Sequence, residues 1–128
     1  MSEISSYLKK IYDLIKSQSL RLERGVPPLL LDASTNTLGT KVILTFDEIM
    51  SIYMFNGIAS AFTLANKTIS SVVRGTNTAT IELMVTVPYV NSDSDIVVDY
   101  DATIPLESTS LGLVGAFTDI PVSNTIPA

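Results

Sequence analysis

The densest group of chemically capable side chains is an acidic loop, Asp93-Ser-Asp95, followed by Asp99 and Asp101. Asp-x-Asp presents hard oxygen ligands at a spacing suited to Ca2+, which makes Asp93 and Asp95 the metal candidates of the chain. The loop lacks the glycine and the distal glutamate of an EF-hand, and strand alternation puts Asp99 and Asp101 together on one solvated face. A turn followed by a wet strand face is the plainer expectation, and no cofactor is expected. A glycosidase-type pair of carboxylates can be drawn from Asp47, Glu48, Glu82 and the acidic loop, but no spacing forces two of them into one cleft. None of the many serine and threonine hydroxyls has a base beside it in sequence. Asn66-Lys67-Thr68 matches a glycosylation acceptor and, with no leader sequence in front of it, reads as chance. Tyr89, next to Pro88, reads as core or turn packing, with a loop contact to carbohydrate or protein as the rival.

Composition narrows the chemistry further. The 128 residues contain no Cys, no His and no Trp. Those absences remove thiol nucleophiles, Ser-His triads, disulfide scaffolds, zinc fingers and histidine pH switches together. No catalytic residue is assigned and an enzyme is not expected. Ile, Val and Thr make up 38 residues, and Ser with Thr 29, the composition of a β-rich domain with a hydroxyl-bearing surface. Residues 1–25 carry five basic against three acidic side chains, whereas residues 26–128 carry three against ten. An acidic body repels phosphate backbones, so no nucleic-acid partner is expected. Met1–Lys10 lacks a basic region followed by an apolar core, so no export signal is expected, and no run approaches the length of a membrane span.

Two kinds of element would position these groups. Residues 3–24 have the pattern of a helix, with Ser2 as N-cap, Gly25 past its end and Pro27-Pro28 barring continuation. Ile4, Leu8, Ile11, Ile15, Gln18 and Leu22 recur at alternating spacings of four and three, the stripe of a coiled coil with one polar interruption. That stripe is the candidate interface of the chain, through Ile4, Leu8, Ile11, Ile15 and Leu22. The readings open to it are self-association, docking on a partner, packing on its own β domain, and lying on a membrane surface. After Pro28 the period becomes two. Lys41–Asp47 places Val42, Leu44 and Phe46 on one face, and Thr78–Val87 places Ala79, Ile81, Leu83, Val85 and Val87 on one face. Leu29–Leu31, Ala61–Leu64, Thr68–Arg74, Ile96–Asp101 and Asp119–Thr125 are further strand candidates, while Asp47–Phe55 suits a helix as well as a strand. Short strands with turns every 8–12 residues predict an all-β antiparallel sandwich over 27–128, preceded by the amphipathic helix over 1–26.

Several segments in order resemble a bacterial immunoglobulin-like module of the SwmB type. They are Gly39-Thr-Lys-Val-Ile-Leu-Thr-Phe-Asp-Glu48, Ala61-Phe-Thr-Leu64, Val73-Arg-Gly75, Thr80-Ile-Glu-Leu83, Asp95-Ile-Val-Val-Asp-Tyr100, Gly112-Leu-Val-Gly-Ala-Phe117 and Val122-Ser-Asn124. The resemblance implies an immunoglobulin-like sandwich and by itself no activity. Such modules occur in tandem within exported chains, whereas here one module follows a heptad helix. That plan is similar to bacteriophage or other virion proteins such as capsid decoration proteins, head fibres and tail fibres. The expectation is a non-enzymatic virion structural protein, homo-oligomeric with a trimer favoured, attached to other virion proteins through the helix, with a host-surface glycan as a further ligand. A carbohydrate-binding or adhesion module of a bacterial surface protein is the alternative.

Overall fold

The computed structural model describes residues 25–51 and 58–128. They form seven strands: β1 (Leu30–Thr35), β2 (Lys41–Phe46), β3 (Phe62–Leu64), β4 (Ile69–Arg74), β5 (Thr80–Val85), β6 (Val97–Tyr100) and β7 (Phe117–Pro121). A four-stranded antiparallel sheet has the order β1-β2-β5-β4, and a three-stranded antiparallel sheet the order β3-β6-β7. A short 3-10 helix, Ile58–Ala61, leads into β3. The helix expected over residues 3–24 lies outside the described residues.

Alternation explains the strongest pairings. In β2, Val42, Leu44 and Phe46 are buried while Lys41, Ile43 and Thr45 stand on the other face. In β5, Ile81 and Leu83 meet the same core, and in β6 Val98 and Tyr100 follow Ile96 inward. Both sheets contribute to one apolar cluster, in which Val42, Leu44, Ile81 and Leu83 share the interior with Phe62, Leu64, Val98 and Tyr100. Tyr100 stacks on Phe62 with ring centroids 4.9 Å apart and meets Phe117 at 5.6 Å. Aromatic pairs at this spacing add to the burial energy of the rings.

Several boundaries differ from the sequence expectation. β5 stops at Val85, and Val87 is 60% exposed rather than continuing the inward face. The Thr86 N–H still bonds the Thr68 carbonyl beside β4, but Pro88 has no amide to donate, so the ladder ends there. The last strand runs over Phe117–Pro121 instead of Asp119–Thr125. Beyond Pro121 the chain crosses to β1, where Ser123 and Ser34 form a parallel bridge. Ala61 belongs to the 3-10 helix, and Thr68 precedes β4. β1 extends beyond Leu29–Leu31 to Thr35, with a register irregularity between Leu30 and Asp32 that leaves Leu31 exposed. Of the ambiguous Asp47–Phe55 stretch, Met50 is fully buried and bridges Ser108; residues 52–57 lie outside the described residues.

Strand directions define two ends. Chain entry at 25–29, the segment after β2, the β4–β5 turn and the β6–β7 connection all lie at one end, the entry pole. The β1–β2 turn, the β3–β4 turn, the β5–β6 connection and the C-terminal residues lie at the opposite end, the far pole.

Candidate functional site

At the far pole, the candidate metal ligands Asp93 and Asp95 sit in the β5–β6 connection. The Val90 amide donates to Asp93 Oδ2 at 2.7 Å, and the Asp93 amide donates back to the Val90 carbonyl at 3.0 Å. Asn124 Nδ2 donates to the carbonyls of Val90 (3.0 Å), Asn91 (3.3 Å) and Asp93 (3.0 Å), and its Oδ1 accepts from the Ile126 amide. The Asp93 carboxylate is thus engaged by the Val90 amide, and three carbonyls of the loop by the Asn124 side chain from the C-terminal segment. Asp95 is exposed, with φ at +56°. Asp99 accepts from the Asp119 amide at 2.6 Å. Asp101 accepts from both the hydroxyl and the amide of Thr103, and these bonds, the hydroxyl first, hold its carboxyl below the usual range. Among the described residues no group of three or more acidic side chains comes together to hold a metal ion.

The other carboxylates drawn together by the sequence have separate partners. Glu82 pairs with Lys41 at 2.9 Å on neighbouring strands, and Asp47 accepts from the Leu29 amide at 2.9 Å. Tyr89 is 3% exposed, packs as core, and donates its hydroxyl to the Ala65 carbonyl. Lys67 of the Asn66-Lys67-Thr68 turn lies 5.1 Å from the centre of the Tyr89 ring and donates to the Pro88 carbonyl. Burial, and secondarily the Asp93 charge, pushes the Tyr89 hydroxyl up to about 12.

The entry pole is built differently. The Gly25 amide donates to the Ser110 carbonyl at 2.8 Å, and Val26 runs so close to Gly112 that a Cβ there would strike the Val26 carbonyl. The chain therefore joins the β body against the 110–112 loop. Ser110 Oγ donates to Glu48 Oε1 at 3.1 Å, while Glu48 Oε2 is buried and has no hydrogen-bond partner among the described residues. Val26 (77% exposed), Leu29 (62%), Ile49, Leu111 and Leu113 leave apolar side chains in solvent at this end. Neither these exposed apolar residues nor the buried Glu48 oxygen is evident in the sequence, where Leu29 reads as the start of a strand and Ile49 as part of a stretch that suits a helix or a strand. The stripe Ile4, Leu8, Ile11, Ile15 and Leu22 lies outside the described residues; its point of departure, Gly25, is at this pole.

Two open clefts run along the sides of the body. One, of about 300 Å3, lies between β1 and β7 and is lined by Leu30, Ala33, Phe117 and Ile120; the other, of about 430 Å3, lies beside β3 and β4 near Phe62, Lys67 and Ile69. Neither gathers convergent charged groups. No helix among the described residues is long and apolar enough to cross a membrane. Comparison with protein-family models, curated proteins and solved structures finds no match to this chain.

Proposed function

We propose that the β body is an immunoglobulin-type sandwich of the SwmB-like kind, and that the protein is a non-enzymatic structural component of a virus particle. In this reading the N-terminal helix is the anchor and the sandwich is displayed outward. Strand order supports the fold assignment: β1-β2-β5-β4 and β3-β6-β7 correspond to the A-B-E-D and C-F-G sheets of a seven-stranded immunoglobulin domain. The resembling segments also fall on matching elements, with Val42–Phe46 in β2, Phe62–Leu64 in β3, Ile81–Leu83 in β5 and Val97–Tyr100 in β6.

One observation carries the functional reading. The chain enters the described body at one pole and leaves it at the opposite one, where polar clasps close the loops; exposed apolar side chains stand at both, Val26 and Leu29 at the first and Leu38, Val87 and Val90 at the second. An attached base and a displayed tip follow from that polarity. The stripe ahead of Gly25 supplies the attachment, on other virion proteins and on its own copies; trimeric symmetry is the version we favour.

Replacing Leu8, Ile11 and Ile15 with Ser tests the anchor. Each side chain contributes roughly 1.5–3 kcal/mol when fully buried, so the triple change removes most of the contact energy of the stripe. The expected result is a folded β body, with unchanged near-ultraviolet circular dichroism, that no longer incorporates into particles. Normal incorporation would move the attachment to the sandwich. Sedimentation of the full chain against a fragment beginning at Pro28 tests self-association: a small oligomer for the first and a folded monomer for the second are expected.

A further inference from the structure

The seam between the two sheets is closed for part of its length and open for the rest. β1 is the outer strand of the larger sheet and β7 that of the smaller one. Ser123 zips them together: its amide donates to the Ala33 carbonyl at 2.8 Å, and its carbonyl accepts from the Thr35 amide at 2.9 Å. One step further along that parallel ladder, Pro121 stands where a donor to the Leu31 carbonyl is needed and has no N–H. Leu31 is passed over on its other side too, because the register between β1 and β2 slips between Leu30 and Asp32. The Ala33 N–H points to the same side as the carbonyl that Ser123 takes, into the seam. From here the edges part around the open cleft of about 300 Å3 lined by Leu30, Phe117 and Ile120, and Leu31, 64% exposed, carries the apolar surface outward.

A strand edge free beside an apolar cleft takes up an extended peptide as an added strand: the edge holds its backbone, and the cleft takes every second side chain. Charge selects the peptide. β1 and β7 carry one exposed aspartate each, Asp32 and Asp119, and no lysine or arginine. Residues 26–128 as a whole carry three basic side chains against ten acidic ones, so a second body laid along this seam meets like charge. A strand with basic residues between its apolar ones meets opposite charge instead.

We propose that the β1–β7 seam binds an extended segment of another protein in which apolar side chains alternate with lysine or arginine. The segment adds to β1 at Leu31–Ala33. Its apolar side chains enter the cleft against Phe117 and Ile120, and its basic ones lie outward beside Asp32. The seam runs along the side of the body, so the site is independent of what the N-terminal stripe binds.

Three peptides test the site on the full chain: acetyl-Val-Lys-Val-Lys-Val-Lys-amide, its Val-Glu counterpart and its Ser-Lys counterpart. Binding is followed by the NMR shift and hydrogen exchange of the Ala33 amide. The Val-Lys peptide is expected to bind saturably, to slow Ala33 exchange, and to bind about tenfold more tightly than either of the others. Asp32→Lys, at an exposed position, should weaken the Val-Lys peptide by about tenfold and favour the Val-Glu peptide. Equal binding of the Ser-Lys peptide would reduce the effect to charge alone and overturn the proposal, as would equal binding of the Val-Glu peptide or no saturation. Protection at Ile69 in place of Ala33 would move the site to the cleft beside β4 and overturn the assignment to this seam. Slowing of Ala33 exchange by rising protein concentration, with no peptide present, would make the occupant a second copy and likewise overturn it.

Discussion

The two poles satisfy their loops by different means. At the far pole, Asn36 Oδ1 accepts from the amides of Thr40 and Lys41, Tyr89 reaches Ala65, Asn124 holds three carbonyls, and Thr125 and Thr35 bond side chain to main chain in both directions. Polar groups there are matched internally, and the charges are spent on turns. The entry pole has clasps of its own, Asn77 on the Ala79 amide, Asp101 on Thr103 and Ser108 on the Gly112 amide, but it leaves one carboxylate oxygen of Glu48 unmet among the described residues, and apolar side chains stand in water at both poles. The difference lies in reach: the far-pole clasps join the C-terminal segment to loops about 30 to 90 positions away, whereas those on the Asn77, Asp101 and Ser108 turns are local.

Substitutions at the two ends should therefore act on different properties. The largest effect on stability is expected for Gly39→Ala at the far pole. Gly39 has φ at +73°, and a Cβ would run into the Tyr89 carbonyl, so backbone strain and steric overlap combine to cost about 3 kcal/mol. Asn124→Ala should cost about 2 kcal/mol by freeing the 90–93 loop, and hydrogen exchange at the Ile126 amide should accelerate with it. Tyr89→Phe leaves the Ala65 carbonyl unpaired and should cost about 1 kcal/mol in urea titration.

Alkali probes the same pole without mutation. The raised Tyr89 hydroxyl means that folding favours its neutral form. That contribution is complete below the ordinary tyrosine value of 10 and is lost as pH climbs through 10 towards 12. Tyr100, raised chiefly by burial, adds in the same direction. Tyrosinate absorbance should therefore show part of the titration delayed and joined to unfolding, and Tyr89→Phe should remove a share of that delay. At the entry pole, Leu29→Ser with Ile49→Ser should change stability by no more than about 0.5 kcal/mol. A loss as large as that of Asn124→Ala would end the distinction between the poles.

What the sequence makes legible is period, not termination. The strict alternation of Val42, Leu44 and Phe46 and of Ile96, Val98 and Tyr100 translates directly into buried faces, because a strand has only two sides. Val87 continues that alternation on paper and fails in space, because Pro88 follows with no amide for the ladder and Val87 stands exposed. Ser123 pairs with Ser34 across 89 positions of chain, a relation that no local pattern encodes. Asp93 is legible as a turn residue from its type, but its clasp by Asn124 is a long-range event. The exposed apolar residues of the entry pole are the least legible feature. Leu29, Ile49 and Leu113 have the same side chains as core residues, and only the placement of the 25–29 and 106–113 segments at the end of the body puts them in water.

The crossing of the chain beyond Pro121 to β1 bears on mechanical load. The residues of β1 pair with β2 along their length, while Ala33–Thr35 also bonds the chain at Ser123, through the Thr35 amide to the Ser123 carbonyl and the Ser123 amide to the Ala33 carbonyl. A pull applied through Gly25 and resisted at the C-terminal end draws β1 along its own axis. The bonds on both of its sides are then sheared together instead of being opened one after another. Forced rupture follows the unfolding rate rather than the equilibrium stability. A body hung by its N-terminal segment would thus resist tension through bonds on both sides of one strand. Single-molecule extension should show the high-force step fall when Ser123→Pro removes the amide that bonds Ala33.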